Sequence, residues 1–178
     1  MEPRPDDFRM VMGHFATGVT VVTTYDEDRP AGITVNAFSS VSLEPALVMV
    51  ALDRRRFITP LVRAAGRYAV SVLGVDQQGL SDCFAHGPVP AGSPDREAFC
   101  GAAWHPGPTG LPLVDGSIAT LECTIVETFS AGDHDLSIGR VDSMAKLREG
   151  VAPLLYFRRR YLRIEQGADS PVEGKPEG

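Results

Sequence analysis

The sequence has few cysteines and no long apolar run, and both shortages exclude classes of protein. The three cysteines, Cys83, Cys100 and Cys123, form no Cys-x-x-Cys pair, and an odd, scattered set of this kind is typical of reduced thiols in a cytosolic protein. No apolar stretch approaches the ~20 residues that span a bilayer. The first residues also lack the pattern of a secretory signal peptide, in which an apolar segment follows a basic one. These absences predict a cytoplasmic protein without a membrane span.

Positive charge is also scarce. The chain of 178 residues carries a formal net charge of −6 and has a pI of about 5.2, whereas proteins that bind duplex nucleic acid normally carry a basic excess.

The length suits a single domain, which we place at residues 1–166. Residues 167–178 are rich in glycine, proline and glutamate without an apolar anchor, so they are predicted to form a disordered tail.

Common catalytic signatures are missing as well. The sequence contains no G-x-G-x-x-G after a strand, no P-loop, no H-E-x-x-H and no G-x-S-x-G, which argues against a Rossmann nucleotide site, a zinc protease or an α/β-hydrolase. Period-two stretches of β-branched residues are present instead and favour a barrel-like β core with short helices. Strands are predicted at about 18–24, 31–41, 46–52, 67–73, 117–125, 136–141 and 154–164, and helices at 6–15, 59–66 and 76–86. The second helix is expected to have Thr59 as its N-cap and Gly66 just past its end.

The first candidate site is the polar stretch from Gly32 to Ser42. In an extended strand Thr34, Asn36 and Phe38 share one face, and small hydroxyl and amide groups at a strand end can hydrogen-bond the edge of a planar polar ring. The same composition also fits a polar outer strand face that runs into a serine-rich turn.

The second candidate is the basic loop Asp53–Phe57, which contains Arg54, Arg55 and Arg56 and leads into a helix. Arginines beside a helix N-terminus can hold a phosphate through bidentate bonds and the helix dipole, although a solvated charged loop has the same appearance. The similar run at 157–161 lies in a predicted strand, where it would form an edge or a subunit contact.

The third candidate is the turn Gly132-Asp133-His134-Asp135. A histidine flanked by carboxylates can be held in one tautomer and one orientation, but a histidine in a hairpin is more often an ordinary turn residue. The other three histidines show no pairing that indicates a metal, and no metal site is assigned.

Taken in order, these segments resemble the flavin reductases of two-component flavin-dependent monooxygenases, and the resemblance extends from Phe8 to Tyr161. It is carried by five stretches: FATGVTVVTT at 15–24, TVNAFSSVSLEP at 34–45, YAVSVL at 68–73, GDH at 132–134 with IGRV at 138–141, and PLLYF at 153–157. Each stretch alone is a weak signal, whereas all of them in this order are a strong one.

The resemblance implies a mainly β, six-stranded antiparallel FMN-binding split barrel with short peripheral helices, working as a homodimer. It implies an NAD(P)H-dependent oxidoreductase that reduces FMN or FAD, with NADH preferred to NADPH, and releases the reduced flavin to a partner oxygenase. Neither a nucleic acid nor a membrane is an expected partner.

Site roles follow from the same resemblance. Thr34, Val35 and Asn36 would contact the isoalloxazine edge, and His134 would stand beside the nicotinamide. The ribityl and phosphate path of the flavin would be lined by Ser40, Val41 and Ser42. The phosphate loop would consist of Arg54, Arg55 and Arg56. The segment that packs on the flavin would be Phe84 and Ala85.

Two rival functions remain open at this level. One is a flavin-binding redox module on the same barrel that does not turn over NADH, although the Gly132-Asp133-His134 turn argues against it. The other is a flavoenzyme similar to pyridoxamine-phosphate oxidase, for which the sequence shows no basic substrate pocket.

Overall fold

The fold is taken from a computed structural model that describes residues 4–86 and 98–164. Three helices are present: α1 (Pro5–Met12), α2 (Ile58–Ala65) and α3 (Gln78–Ala85). The strands are β1 (Thr17–Gly18), β2 (Thr20–Asp26), β3 (Arg29–Val35), β4 (Phe38–Leu43), β5 (Ala46–Asp53), β6 (Arg67–Val72), β7 (Trp104–Pro106), β8 (Pro112–Val114), β9 (Ala119–Ala131), β10 (His134–Lys146), β11 (Leu155–Phe157) and β12 (Arg160–Leu162). The predicted tail at 167–178 lies outside the described residues, and the domain boundary remains a prediction.

A seven-stranded antiparallel sheet in the order β3-β2-β6-β9-β10-β5-β4 forms the body of the fold. Its two edge strands, β3 and β4, are consecutive in the chain and are separated only by Asn36 and Ala37. Because two residues join opposite edges, the sheet must curl until those edges meet. This is the predicted split barrel, and β3 and β4 together supply one of its six expected strands.

The strand predicted at 31–41 is not continuous, because the chain changes partners at Asn36. Up to Val35 it pairs with β2, and from Phe38 it pairs with β5. The amide of Ala51 donates to the carbonyl of Ala37 over 3.0 Å, which begins the second pairing. Asn36 is therefore exposed at a corner rather than aligned on a strand face.

The interior is filled by alternate residues of the strands together with one face of α2. Val50 and Tyr68 are fully buried beside Ile58 and Val62 of that helix. Gly139 permits the closest approach, since a Cβ there would lie 2.5 Å from the hydroxyl oxygen of Tyr68. The end of β5 and the start of β10 lie next to each other because the two strands pair directly, with His134 opposite Asp53.

The predicted helix after the basic loop is confirmed, but its predicted Thr59 cap is wrong. The N-cap is Phe57, without a side-chain hydrogen bond, and the hydroxyl of Thr59 donates instead to the carbonyl of Asp53 over 2.7 Å. Gly66 ends the helix with a φ of 65°, a left-handed conformation that glycine adopts at low cost. Thr59 thus ties α2 back to the end of β5.

The expectation of three reduced thiols is also wrong. Cys83 and Cys100 form a disulfide with their Cα atoms 5.9 Å apart, and Cys123 is free and buried. The pairing depends on α3 packing against the turn at 98–101, a contact that cysteine spacing does not reveal.

The arginine run at 157–161 forms a tight hairpin rather than one continuous strand. β11 pairs with β12 across a two-residue turn, and both turn residues, Arg158 and Arg159, have positive φ values of 49° and 64°. The turn predicted at 132–135 is confirmed in position but is shorter, since only Gly132 and Asp133 join β9 to β10, and His134 and Asp135 already belong to β10.

Within residues 4–86 and 98–164, no helix combines the length and apolar character needed to cross a membrane.

Candidate functional site

A cavity of about 330 Å³ opens where three sheet strands meet two peripheral elements. Its walls come from the end of β3, the end of β5 and the start of β10 on the sheet side, and from α3 and the β11–β12 hairpin on the other. Six of the predicted site residues line it: Thr34, Val35, Asn36, Arg56, Ala85 and His134.

The corner between β3 and β4 supplies one polar wall. The hydroxyl of Thr34 donates to the carbonyl of Ser81 over 2.7 Å, which fastens the strand end to α3. Asn36 is exposed, and its side-chain amide has no hydrogen-bond partner among the described residues. An amide with both a donor and an acceptor unused can recognise the polar edge of a ligand ring.

The three arginines of the basic loop have different partners. The guanidinium of Arg54 donates to the carbonyl of Gly132, and that of Arg55 pairs with Asp53 over 2.8 Å. Arg56 lines the cavity, and its guanidinium has no hydrogen bond or ion pair within the part of the chain described. It is therefore the arginine of this loop best placed to hold an anion in the cavity.

His134 is the first residue of β10 and lies opposite Asp53 in the sheet register. Its Nδ1 is 2.7 Å from a carboxylate oxygen of Asp133, and its side chain is 41% exposed. The hydrogen bond from His134 lowers the pKa of Asp133, so the carboxylate remains ionised near neutral pH and acts only as an acceptor. That arrangement holds the imidazole at the cavity wall with Nε2 left for a ligand.

Six predicted site residues do not line the cavity of this single chain. Arg54 and Arg55 point their guanidinium groups to the partners given above. Ser40, Val41 and Ser42 lie along β4, where the register with β5 shifts between Ser40 and Ser42 and the side chain of Val41 is largely exposed.

Phe84 is the sixth and is buried in the core, with its ring edge-on to Phe99 at 5.0 Å. The helical period explains the difference from its neighbour, because Ser81 and Ala85 are one turn apart and share the cavity face of α3.

The structure adds site residues that the sequence reasoning missed. Tyr156 and Tyr161 pair across the β11–β12 hairpin and line the cavity together. The hydroxyl of Tyr161 is 2.8 Å from that of Ser81, and burial raises the pKa of Tyr161, so the phenol stays protonated. Only the position of the two-residue turn at Arg158-Arg159 could have placed these tyrosines opposite each other.

No group of three or more histidine, cysteine, aspartate or glutamate side chains is arranged to hold a metal ion within residues 4–86 and 98–164.

Comparison with protein families gives a match to the flavin reductase-like domain over residues 12–165. The reductase subunit of a flavin-dependent monooxygenase from Rhodococcus jostii strain RHA1 is 35% identical, with 94% of this chain and 82% of the relative covered. An NADH-dependent flavin reductase from a Rhodococcus species is 38% identical over 96% of this chain and 93% of the relative.

Solved structures that are similar to this chain include flavin reductases as well. A flavin reductase in its native state superimposes with a TM-score of 0.81 at 35% identity, covering 92% of this chain and all of the other. An NADH:FAD oxidoreductase from Streptomyces globisporus, in complex with NAD and FAD fragments, gives a TM-score of 0.82 at 34% identity, covering 95% of this chain and 99% of the other.

Proposed function

Because the chain belongs to the flavin reductase-like family, we propose that it oxidises NADH, reduces FMN or FAD, and releases the reduced flavin to a partner monooxygenase. The observation that carries this proposal is the cavity, which brings the corner at Asn36, the guanidinium of Arg56 and the imidazole of His134 together. The relatives named as flavin reductases and monooxygenase reductase subunits support the same activity.

The cavity suits part of a flavin nucleotide. Its volume of about 330 Å³ lies at the small end of the roughly 300–1,000 Å³ range of ligand sites, and its open mouth leaves room for the rest of the molecule outside. The exposed amide of Asn36 matches the carbonyl and nitrogen edge of an isoalloxazine, with Thr34 and Val35 beside it. Arg56 offers an unpaired cation for a phosphate group.

The reaction needs no nucleophile from the protein, since flavin supplies an acceptor at N5 for the hydride that leaves C4 of the nicotinamide. The chain's own residues bind and orient the two rings. His134 would hold the nicotinamide, and the cavity around the two rings would be walled by Tyr156, Tyr161 and Ala85. If the flavin extends out of the cavity along β4, it would also contact Ser40, Val41 and Ser42.

The decisive test is steady-state oxidation of NADH or NADPH with FMN or FAD added separately. We expect many turnovers that depend on added flavin, with NADH preferred. The same four reactions reveal the flavin preference. Flavin binding without oxidation of either nucleotide would contradict the reductase proposal and favour a non-catalytic flavin carrier.

We also propose that the chain works as a homodimer. Helix α1 buries none of its residues, and large apolar side chains are exposed on it and on β4, including Val11 at 65% and Leu43 at 90%. Apolar surface of this kind is usually covered by a partner, and a second copy of the chain would cover it. Light scattering should give twice the 19.1 kDa chain mass. A monomer at micromolar concentration would contradict the proposal.

The site of action proposed is the cytoplasm, where nicotinamide nucleotides are recycled. The cysteine pattern no longer supports this location, because two of the three cysteines are paired. Flavin-dependent NADH oxidation in the soluble fraction of gently lysed cells, absent from the periplasmic fraction, would support it.

A further inference from the structure

We infer that Arg55 is a positioning residue for His134 and not a ligand of the flavin phosphate. The inference rests on the proposed function, in which His134 contacts the nicotinamide. It departs from the sequence expectation that all three arginines of the basic loop serve the phosphate.

The guanidinium of Arg55 is already engaged by Asp53. Its Nε donates to one carboxylate oxygen of Asp53 over 3.0 Å and a terminal nitrogen donates to the other over 2.8 Å, while the Arg55 amide donates to the same carboxylate over 2.9 Å. Hydrogen bonding by Arg55 is the main reason that the pKa of Asp53 falls far below its usual value. A planar fork paired in this way is held in one orientation, and Arg55, unlike Arg56, does not line the cavity.

In that orientation the Arg55 guanidinium also lies close to the Gly132-Asp133 turn that precedes His134. A terminal nitrogen of Arg55 lies 3.6 Å from the carboxylate of Asp133, and the other carboxylate oxygen of Asp133 is 2.7 Å from Nδ1 of His134. Contacts therefore run from Asp53 through Arg55 and Asp133 to His134. The loop and the turn are also joined through their backbones, because the amide of Arg54 donates to the carbonyl of Asp133 over 3.0 Å.

This chain of contacts sets the proton position on the imidazole. An ionised Asp133 accepts a hydrogen bond but cannot donate one, so the 2.7 Å contact favours the tautomer of His134 that has its proton on Nδ1 and Nε2 as an acceptor. Arg55 favours the arrangement because its positive charge, 3.6 Å away, stabilises the ionised form of Asp133. The side chains of Arg55 and Asp133 are 75% and 66% exposed, so solvent screens the pair and its effect is modest.

Kinetics of three glutamine variants test the assignment. Arg55→Gln should raise the KM for NADH about two- to fivefold, the range of an exposed ion pair, and leave the KM for flavin unchanged. Arg56→Gln should do the opposite. Arg140→Gln is the matched control, because Arg140 is also exposed and also contacts an aspartate two residues away, Asp142 at 3.0 Å, but it does not line the cavity; neither KM should change.

Nitrogen-15 NMR of the imidazole rings provides a second measurement, the tautomer of His134. This tautomer would not change if Arg55 only stabilised the fold. We expect His134 of the wild-type protein to be the Nδ1–H tautomer, with its signals identified by their loss in His134→Gln. Asp133→Asn should shift the population toward Nε2–H, because the amide group can donate to Nδ1. Arg55→Gln should shift it in the same direction and less.

The inference is overturned if Arg55→Gln raises the KM for flavin, changes both KM values equally, or changes neither, and also if it leaves the His134 tautomer as in the wild type. If the wild-type protein does not oxidise NADH at all, the proposed function fails, and the tautomer measurement still decides whether Arg55 positions His134.

Discussion

His134 is the residue on which the proposed reaction most depends. It is anchored at Nδ1 by Asp133, lies opposite Asp53 in the sheet, and faces the cavity from the first position of β10. A residue held by its own turn in this way contributes one directed contact to a ligand and little to the stability of the barrel.

His134→Ala should raise the KM for NADH by about two- to tenfold, the worth of roughly one hydrogen bond. The KM for flavin should change less, because Asn36 and Arg56 remain. Steady-state kinetics with each substrate varied in turn give both values. An unchanged KM for NADH would remove His134 from the nicotinamide site.

Gly139 illustrates a residue whose importance is steric. A methyl group there would lie 2.5 Å from the Tyr68 hydroxyl, 2.8 Å from Cβ of Cys123 and 2.9 Å from Cζ of Tyr68, and both of these residues are buried. Gly139→Ala should lower the free energy of unfolding by about 1–3 kcal/mol, the usual cost of overpacking, measured by urea denaturation. The double variant Gly139→Ala, Tyr68→Phe should recover only part of the loss, because it removes the contact with the hydroxyl and leaves those with Cβ of Cys123 and the ring carbon Cζ. No recovery at all would mean that the hydroxyl is not an obstacle.

At the scale of elements, the β11–β12 hairpin combines a strained turn with two strands that line the cavity. Its turn residues Arg158 and Arg159 both adopt the left-handed region, which costs an L-residue other than glycine about 1–2 kcal/mol. Its strands present Tyr156 and Tyr161 to the cavity, with ring centroids 5.4 Å apart. The turn is thus a place where stability can change without altering the site.

Arg159→Gly should raise the free energy of unfolding by about 1 kcal/mol, because glycine adopts positive φ without steric cost. Both KM values should stay as in the wild type. Arg160→Gly is the matched control, since Arg160 has the same side chain in an extended strand position, where glycine should destabilise. Equal effects of the two substitutions in urea denaturation would contradict this explanation.

At the scale of the whole molecule, the disulfide links α3 to the turn that follows the glycine- and proline-rich segment. Cys123, by contrast, is 1% exposed in the core, and burial raises its pKa to about 12. The three cysteines therefore belong to two chemical classes.

Protein purified without reductant and then denatured should give one titratable thiol per chain, and three after reduction. In the folded, oxidised protein even that one thiol should resist alkylation at pH 8, because the thiolate is the reactive form and Cys123 is protonated below a pKa of about 12. A count of three thiols without reduction would mean that Cys83 and Cys100 are not bonded in solution.

The sequence by itself determined the features that depend on neighbours along the chain. An almost continuous apolar run located the strand around 46–52, and alternation of apolar and polar residues located the one around 117–125. Gly66 marked the end of α2, and the residues from Gly132 onward marked the turn beside His134. Side-chain period and turn conformation are local properties, so one sequence was enough to predict them. The ordered stretches of the resemblance added the barrel and the flavin chemistry.

Only the tertiary structure decided which distant groups meet. It broke the predicted strand at Asn36, because the chain there leaves β2 for β5, and it joined Cys83 to Cys100. It also brought Tyr161 to Ser81 and gave the three arginines of one loop different partners. Each of these outcomes depends on contacts between segments far apart in sequence, made when the sheet closes and its edges meet, and no local pattern encodes them.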